Sequence, residues 1–154
     1  MKELIHTFKY ASGGLRLGNF LSNIMNNSIR SYPGFTEGVE IVTFVPLYNN
    51  RLRERGFNQS KVLAAGISRE LEIPVMDCLD KIKNTKHQSE LDRSDRLSNL
   101  TGAFRVRDPQ DITGKIILLI DDVMTTGSTL NECARVLLDD GAKEVRCFTL
   151  ARGL

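Results

Sequence analysis

A chain of 154 residues, 41% hydrophobic and 26% charged, is long enough to bury one core, and a net charge of +2 gives no case by itself for a nucleic-acid surface. No apolar run approaches the roughly 20 residues of a membrane span, and the start MKELIHTFKY lacks a signal-peptide core. The three cysteines, Cys78, Cys133 and Cys147, are scattered without a CxxC, which argues against zinc or disulfides and for a reducing cytoplasm. Cys133 and Cys147 fall at positions expected to pack in the core.

In chain order, residues 1–35 form an N-terminal helical segment. Within it GLRLGNFLSNIMNNSIR, residues 14–30, sets Leu17, Leu21, Ile24 and Met25 on one helical face, and SYPGFTEG follows as a linker. Residues 39–45 predict a buried strand ending at Pro46. The next stretch, LYNNRLRERGFNQ, carries Arg51, Arg53 and Arg55 in five residues. On an extended loop, Arg51 and Arg53 at i and i+2 would face one way, and guanidinium forks match phosphate oxygens well. The alternative is a solvated loop, or pairing with Glu54. A helix is predicted over residues 59–71, with Val62, Leu63 and Ile67 inward, and a short strand over 74–78. Residues 83–102 are long, polar and weakly periodic, with room for a short helix over 92–99. Connections above about 12–15 residues are usually functional or disordered, so this stretch predicts a flexible lid, an exposed insertion being the alternative. His87 within it reads as solvent-facing. A short strand follows at 103–106.

The stretch IILLIDDVMTTGSTL, residues 116–130, carries the chemistry. Ile116 to Ile120 is an unbroken apolar run, the pattern of a strand buried on both faces. Residues 128–140 are helical, with Leu130, Ala134, Leu137 and Leu138 at helical spacing and Gly141 placed for a left-handed C-cap. A second strand returns from Glu144. Alternating strands and helices predict one α/β domain over residues 1–154 with a mainly parallel central sheet flanked by helices.

Between strand and helix, Thr125, Thr126, Gly127, Ser128 and Thr129 lie at a helix N-terminus, where free N–H groups and the helix dipole favour an anion. Capping the helix would need one hydroxyl, not four around a glycine. A phosphate there would meet Asp121 and Asp122, each repulsion costing about 2 kcal/mol at about 7 Å and an effective dielectric of about 20. The acids must therefore gain something: hydrogen bonds from vicinal sugar hydroxyls, or a shared divalent cation. A ribose 5-phosphate satisfies both halves of the motif.

LLIDDVMTTGSTL closely resembles the phosphoribosyl pyrophosphate (PRPP) signature of type I phosphoribosyltransferases. The resemblance implies that fold, with a small N-terminal hood-like segment. It implies that Asp121 and Asp122 hold the ribose hydroxyls and Mg²⁺, that residues 125–129 hold the 5-phosphate, and that Arg51 and Arg53 hold the pyrophosphate. The pattern VPLYNNRLRERGFNQ, then Thr85, Gln88, Leu91, Arg96, Asn99 and Ala103–Phe104, is similar to the ComF family over nearly the whole chain, as are Phe8–Lys9–Tyr10. Lys86, Gln88, Arg93 and Arg96 are then the lid residues facing the ligand. ComF proteins commonly begin with a four-cysteine zinc module, of which nothing is present here; the chain reads as a trimmed form or as a short relative made of the transferase-like domain.

Two functions follow. In one, PRPP with Mg²⁺ gives its phosphoribosyl group to a nitrogen acceptor with release of pyrophosphate. In the other, the domain is a non-catalytic PRPP- or nucleotide-binding adaptor of the single-stranded DNA uptake machinery in competence. A receiver-like phosphoacceptor domain is a weaker third, because its acid pair lies near the chain start. The oligomeric state stays open, a homodimer being one candidate.

Overall fold

The computed structural model describes residues 2–10, 14–84 and 100–153. Its elements are α1 (Lys2–Tyr10), α2 (Gly14–Ile29), β1 (Ile41–Phe44), α3 (Asn49–Arg55), α4 (Gln59–Leu71), β2 (Leu79–Lys81), β3 (Phe104–Val106), α5 (Pro109–Ile112), β4 (Ile116–Met124), α6 (Ser128–Asp139) and β5 (Glu144–Arg152). The strands β1, β4 and β5 form a parallel sheet in the order β1-β4-β5, with Ile41 opposite Ile117 and Ile116 opposite Glu144. β2 and β3 pair antiparallel in a separate ribbon.

Continuous apolar strands require cover on both faces, and two clusters of side chains supply it. Val42, Phe44, Leu118 and Ile120 pack against Phe8, Leu21, Met25, Leu63 and Ile67 of α1, α2 and α4. Ile41, Ile117 and Leu119 pack on the other face against Leu79 and Phe104 of the ribbon and Leu130, Cys133 and Leu137 of α6. The linker after α2 is pinned as well: Arg146 on β5 donates to the carbonyls of Phe35 at 2.7 Å and Glu37 at 2.8 Å.

Three expectations are corrected. The strand expected at 74–78 is a single parallel bridge between Val75 and Val42. Pro74 has no N–H to extend the ladder. Beyond the bridge, Thr43 takes over by side chain, its Oγ1 donating to Met76 O at 2.9 Å and accepting from Cys78 N at 3.5 Å. The basic loop is the helix α3, because NNRLRER is mostly good helix formers and Gly56, at φ 76°, ends it by donating its N–H to Leu52 O. Residues two apart on a helix are turned about 200° from each other, so Arg51 and Arg53 do not face one way. Cys147 is exposed, on a strand with a partner on one side only, while Cys78 and Cys133 are buried. The helix expected at 92–99 lies outside the described residues.

α2 crosses α4 at Gly66, where a Cβ would lie 2.3 Å from both Cβ and Oγ of Ser22. Gly66→Ala should therefore destabilise the protein by about 1–3 kcal/mol, the usual range for overpacking, read as a lower urea midpoint. Ser22→Gly in the same chain should restore most of the loss, since the next neighbour, Ser22 Cα, is 3.7 Å away. Without that recovery, the close crossing is not what limits this position.

Candidate functional site

Two carboxylates end the buried part of β4. Asp121 and Asp122 are 8% and 9% exposed, and each is tied to the protein by one oxygen. Asp121 Oδ1 accepts from Ser60 Oγ at 2.8 Å and from the Asp122 backbone N–H at 2.9 Å. Asp122 Oδ2 pairs with Lys9 Nζ at 2.6 Å. Among the described residues, Asp121 Oδ2 and Asp122 Oδ1 have no hydrogen-bond or ion-pair partner in the protein. One oxygen of each acid is thus held, and the other is left to accept from a ligand.

The holding groups come from distant elements. Asn58 is the N-cap of α4, accepting from Lys61 N at 3.3 Å and donating from Nδ2 to Val45 O at 3.0 Å. That ties the start of α4 to the residue after β1 and sets Ser60 beside the end of β4. Lys9 arrives on α1, whose Phe8 is fully buried and packs 5.8 Å from the Phe57 ring.

The electrostatics follow from burial. Asp121 is pushed up to about 7, first by burial and then by the charge of Asp122, against the pull of Ser60, the Asp122 N–H and Lys9. Lys81, on β2 with Nζ 5.4 Å from the Phe104 ring centroid, is pushed down to about 8 by burial and then by the nearby charge of Arg51, while Asp121 works the other way. Lys81 thus feels the charges of both Arg51 and Asp121.

The turn after β4 completes the site. Gly127, at φ 79°, is the N-cap of α6 and has no side chain to cap it. A left-handed conformation is one that glycine adopts without strain, and the first N–H groups of the helix are left facing the turn. Thr126 Oγ1 and Ser128 Oγ lie 2.8 Å apart, and the Ser128 N–H makes a long contact of 3.4 Å to Thr126 Oγ1. Asp121, Thr125, Gly127, Ser128 and Thr129 line one small hollow, which joins the first acid to the turn. A larger cavity of about 630 Å³, lined by Tyr48, Leu52, Phe57, Lys61, Arg105 and Arg107 among others, shares no residue with the turn or the acid pair. Of its cations, Lys61, Arg105 and Arg107 are engaged by Asp77 and Asp80, while Lys81 also lines this cavity.

Asp121 and residues 125 and 127–129 thus share one hollow, with Asp122 and Thr126 adjoining them in the chain. Arg51 is half-buried within electrostatic reach of Lys81, and Arg53 is exposed on another side of α3. Lys86, Gln88, Arg93 and Arg96 lie outside the described residues. Sequence reasoning missed Lys9, Ser60 and Lys81 as parts of the site. For Lys9 the one available signal was its place in Phe8–Lys9–Tyr10; Ser60 and Lys81 had none, since partners 61 residues apart leave no spacing to read.

Because the folded-state pKa of Asp121 lies above its ordinary value of 3.8, the folded chain holds a proton that the unfolded chain releases between about pH 4 and 7. Stability should therefore fall as pH rises through that window and level off above it. Asp121→Asn should flatten the fall and leave the variant about 1–3 kcal/mol more stable than wild type at pH 8. Urea midpoints from pH 4 to 8 measure this; identical pH profiles would show Asp121 ionised throughout.

Comparison with known proteins bears on the fold and the family. Residues 58–154 match the phosphoribosyl transferase domain. Competence protein F of Haemophilus influenzae is 39% identical over 115 residues, 73% of this chain and 50% of that protein. DNA utilization protein YhgH of Escherichia coli is 32% identical over 158 residues, 100% of this chain and 68% of that protein. The chain thus spans half to about two thirds of the length of these relatives. The fold is that of the glutamine PRPP amidotransferase structure from B. subtilis, with a TM-score of 0.62 at 18% identity over 94% of this chain and 30% of that one. A mainly parallel sheet flanked by helices, relatives at 32–39% identity that cover 73–100% of this chain, and the matched domain together mean that the chain belongs to the ComF family of phosphoribosyltransferase-like proteins.

Proposed function

We propose that this domain binds PRPP together with Mg²⁺ and transfers its phosphoribosyl group to a nitrogen acceptor, releasing pyrophosphate. The observation that carries the reading is the acid pair with one held and one open oxygen on each carboxylate, beside a helix N-terminus whose N-cap is a glycine. Vicinal ribose hydroxyls would donate to the open oxygens Asp121 Oδ2 and Asp122 Oδ1. The 5-phosphate would take the N–H groups at the start of α6 and the hydroxyls of Thr125, Thr126, Ser128 and Thr129. Gly127 has no Cβ to stand in its way.

Mg²⁺ binds through one or two carboxylates plus ligand phosphates and water more often than in an all-protein cage. Asp121 and Asp122 fit that share, and no group of three or more acidic, His or Cys side chains among the described residues offers a cage. Bound with the ligand, the cation would neutralise charge on the phosphates. The protein's own part is positioning and electrostatics. The acceptor nitrogen forms a bond to the anomeric carbon as the bond to pyrophosphate breaks and its electron pair leaves with pyrophosphate; the nitrogen then gives up a proton. Holding the ribose by its diol and phosphate fixes the anomeric carbon for attack, and the open carboxylates lie near the positive charge that develops on the ring. Arg51 and Lys81 are the cations for the leaving pyrophosphate.

A binding-only reading draws on the names of the relatives, one a competence protein and one a DNA utilization protein. There, occupancy by PRPP or a nucleotide, and not turnover, would be what a cytoplasmic DNA-uptake partner senses. Pyrophosphate release from PRPP across a panel of nitrogenous acceptors separates the two: turnover selects the transferase, and tight binding without turnover selects the adaptor. Both predict that PRPP with Mg²⁺ raises the melting temperature in proportion to the logarithm of ligand concentration above Kd, as mass action requires. No shift at millimolar PRPP would exclude both.

The helical geometry of α3 makes the arginine assignment selective. Arg51→Ala should weaken PRPP by about tenfold or more, the loss of a charge-assisted hydrogen bond, and leave ribose 5-phosphate nearly unchanged. Arg53→Ala should alter neither. Titration of each variant with the two ligands decides the point; equal losses for both ligands would mean that Arg51 acts only through general electrostatics.

A further inference from the structure

Lys9 lies 113 positions before Asp122 in the chain, yet its ammonium sits 2.6 Å from Asp122 Oδ2, with the two side chains only 22% and 12% exposed. Removing two charges from water to this degree carries a desolvation penalty that an exposed pair escapes. A mere staple for α1 does not account for it. Phe8, the preceding residue, is fully buried in the cluster on the sheet face and stacks near Phe57, so α1 is already anchored by apolar contact. The pair instead does for Asp122 what Ser60 does for Asp121. Each acid has one oxygen immobilised by a donor from a helix outside the strand, and the remaining oxygen is open. An ammonium carries three donors; with one on Asp122, two remain for water or a ligand oxygen.

Resting on the phosphoribosyl reading of this site, we propose that Lys9 is a ligand-positioning residue and that α1 is part of the binding site. Held on Asp122 Oδ2, it orients the carboxylate so that Oδ1 accepts a ribose hydroxyl. The ammonium also spares the two acids from facing each other, and the ligand's phosphate, without a counter-charge. The site is therefore built from segments 113 positions apart, and its specificity for an intact vicinal diol depends on a helix that precedes the sheet.

The test compares ribose 5-phosphate with its 2-deoxy and 3-deoxy analogues by calorimetric titration. All three share the phosphate, so their affinity ratios isolate the diol. Wild type should favour ribose 5-phosphate over both analogues. Lys9→Met should weaken ribose 5-phosphate by about tenfold, as expected for a disturbed hydrogen bond to a charged group, and should collapse the preference over the analogue lacking the hydroxyl that faces Asp122. Lys9→Arg should restore part of that preference. The double variant Lys9→Met with Asp122→Asn leaves neither charge buried alone. Its loss should be no greater than that of Asp122→Asn by itself, because the two residues act as one unit. Equal losses for all three ligands, no loss at all, or strictly additive effects in the double variant would overturn the role of Lys9 while leaving the phosphoribosyl reading standing. Failure of the wild type to bind ribose 5-phosphate would overturn both.

Discussion

Two adjacent carboxylates buried at the end of a central strand are the constraint around which this domain is arranged. Burial penalises a charged carboxylate, and Asp121 is driven toward its neutral form by burial and by the charge of its neighbour. Consecutive strand residues project to opposite faces, so one element cannot serve both acids. Asp122 is met by the ammonium on α1, and Asp121 by the hydroxyl near the start of α4. The N-cap at Asn58, its bond to the carbonyl of Val45 and the burial of Phe8 are what hold those two donors in place.

The same constraint explains why the site lies at this edge of the sheet. In a parallel sheet, the connections that follow the strands gather at the carboxyl ends, where helix N-termini also point. Here β4 stands between β1 and β5, so the turn into α6 and the segment leading into α3 emerge side by side. The ribbon of β2 and β3 adds Lys81 from the face opposite α1. Positive charge therefore reaches the acid pair from separate elements, Lys9 from α1 and Lys81 from β2, and neither is its neighbour in sequence. Such an arrangement is costly in an empty site, since pre-placed charges are desolvated before any ligand arrives. Stability given up for pre-organisation is a common feature of binding sites.

Much of this was legible in the sequence, for local reasons. Ile116 to Ile120 could only be a buried strand, and the helix after it declared itself by the spacing of Leu130, Ala134 and Leu137. The anion turn was visible because its hydroxyls and Gly127 are contiguous. The α4 helix began and ended where its pattern put it, at Gln59 and Leu71. The misplaced elements failed on competition between local preferences. The charge of NNRLRER suggests an extended loop, whereas its helix propensity and the stop at Gly56 decide its form. The segment from Pro74 to Cys78 has strand-like residues, but a proline and the side chain of Thr43 replaced the ladder there.

What the sequence determined by itself was therefore the set of elements and the local chemistry at one strand end: an α/β order, two acids, and a glycine turn opening a helix. These are properties of neighbours within a few residues, and periodicity and propensity act at that range. Tertiary structure alone decided which oxygen of each acid is held and which is open. That choice depends on Lys9 and Ser60, brought to β4 by helices whose own patterns carry no mark of the encounter. It also decided that Arg51 and not Arg53 lies near Lys81, because a helix turns residues two apart to different sides. Electrostatic pairs across more than fifty residues are fixed by packing, and packing is settled only when the sheet and its two covering layers meet.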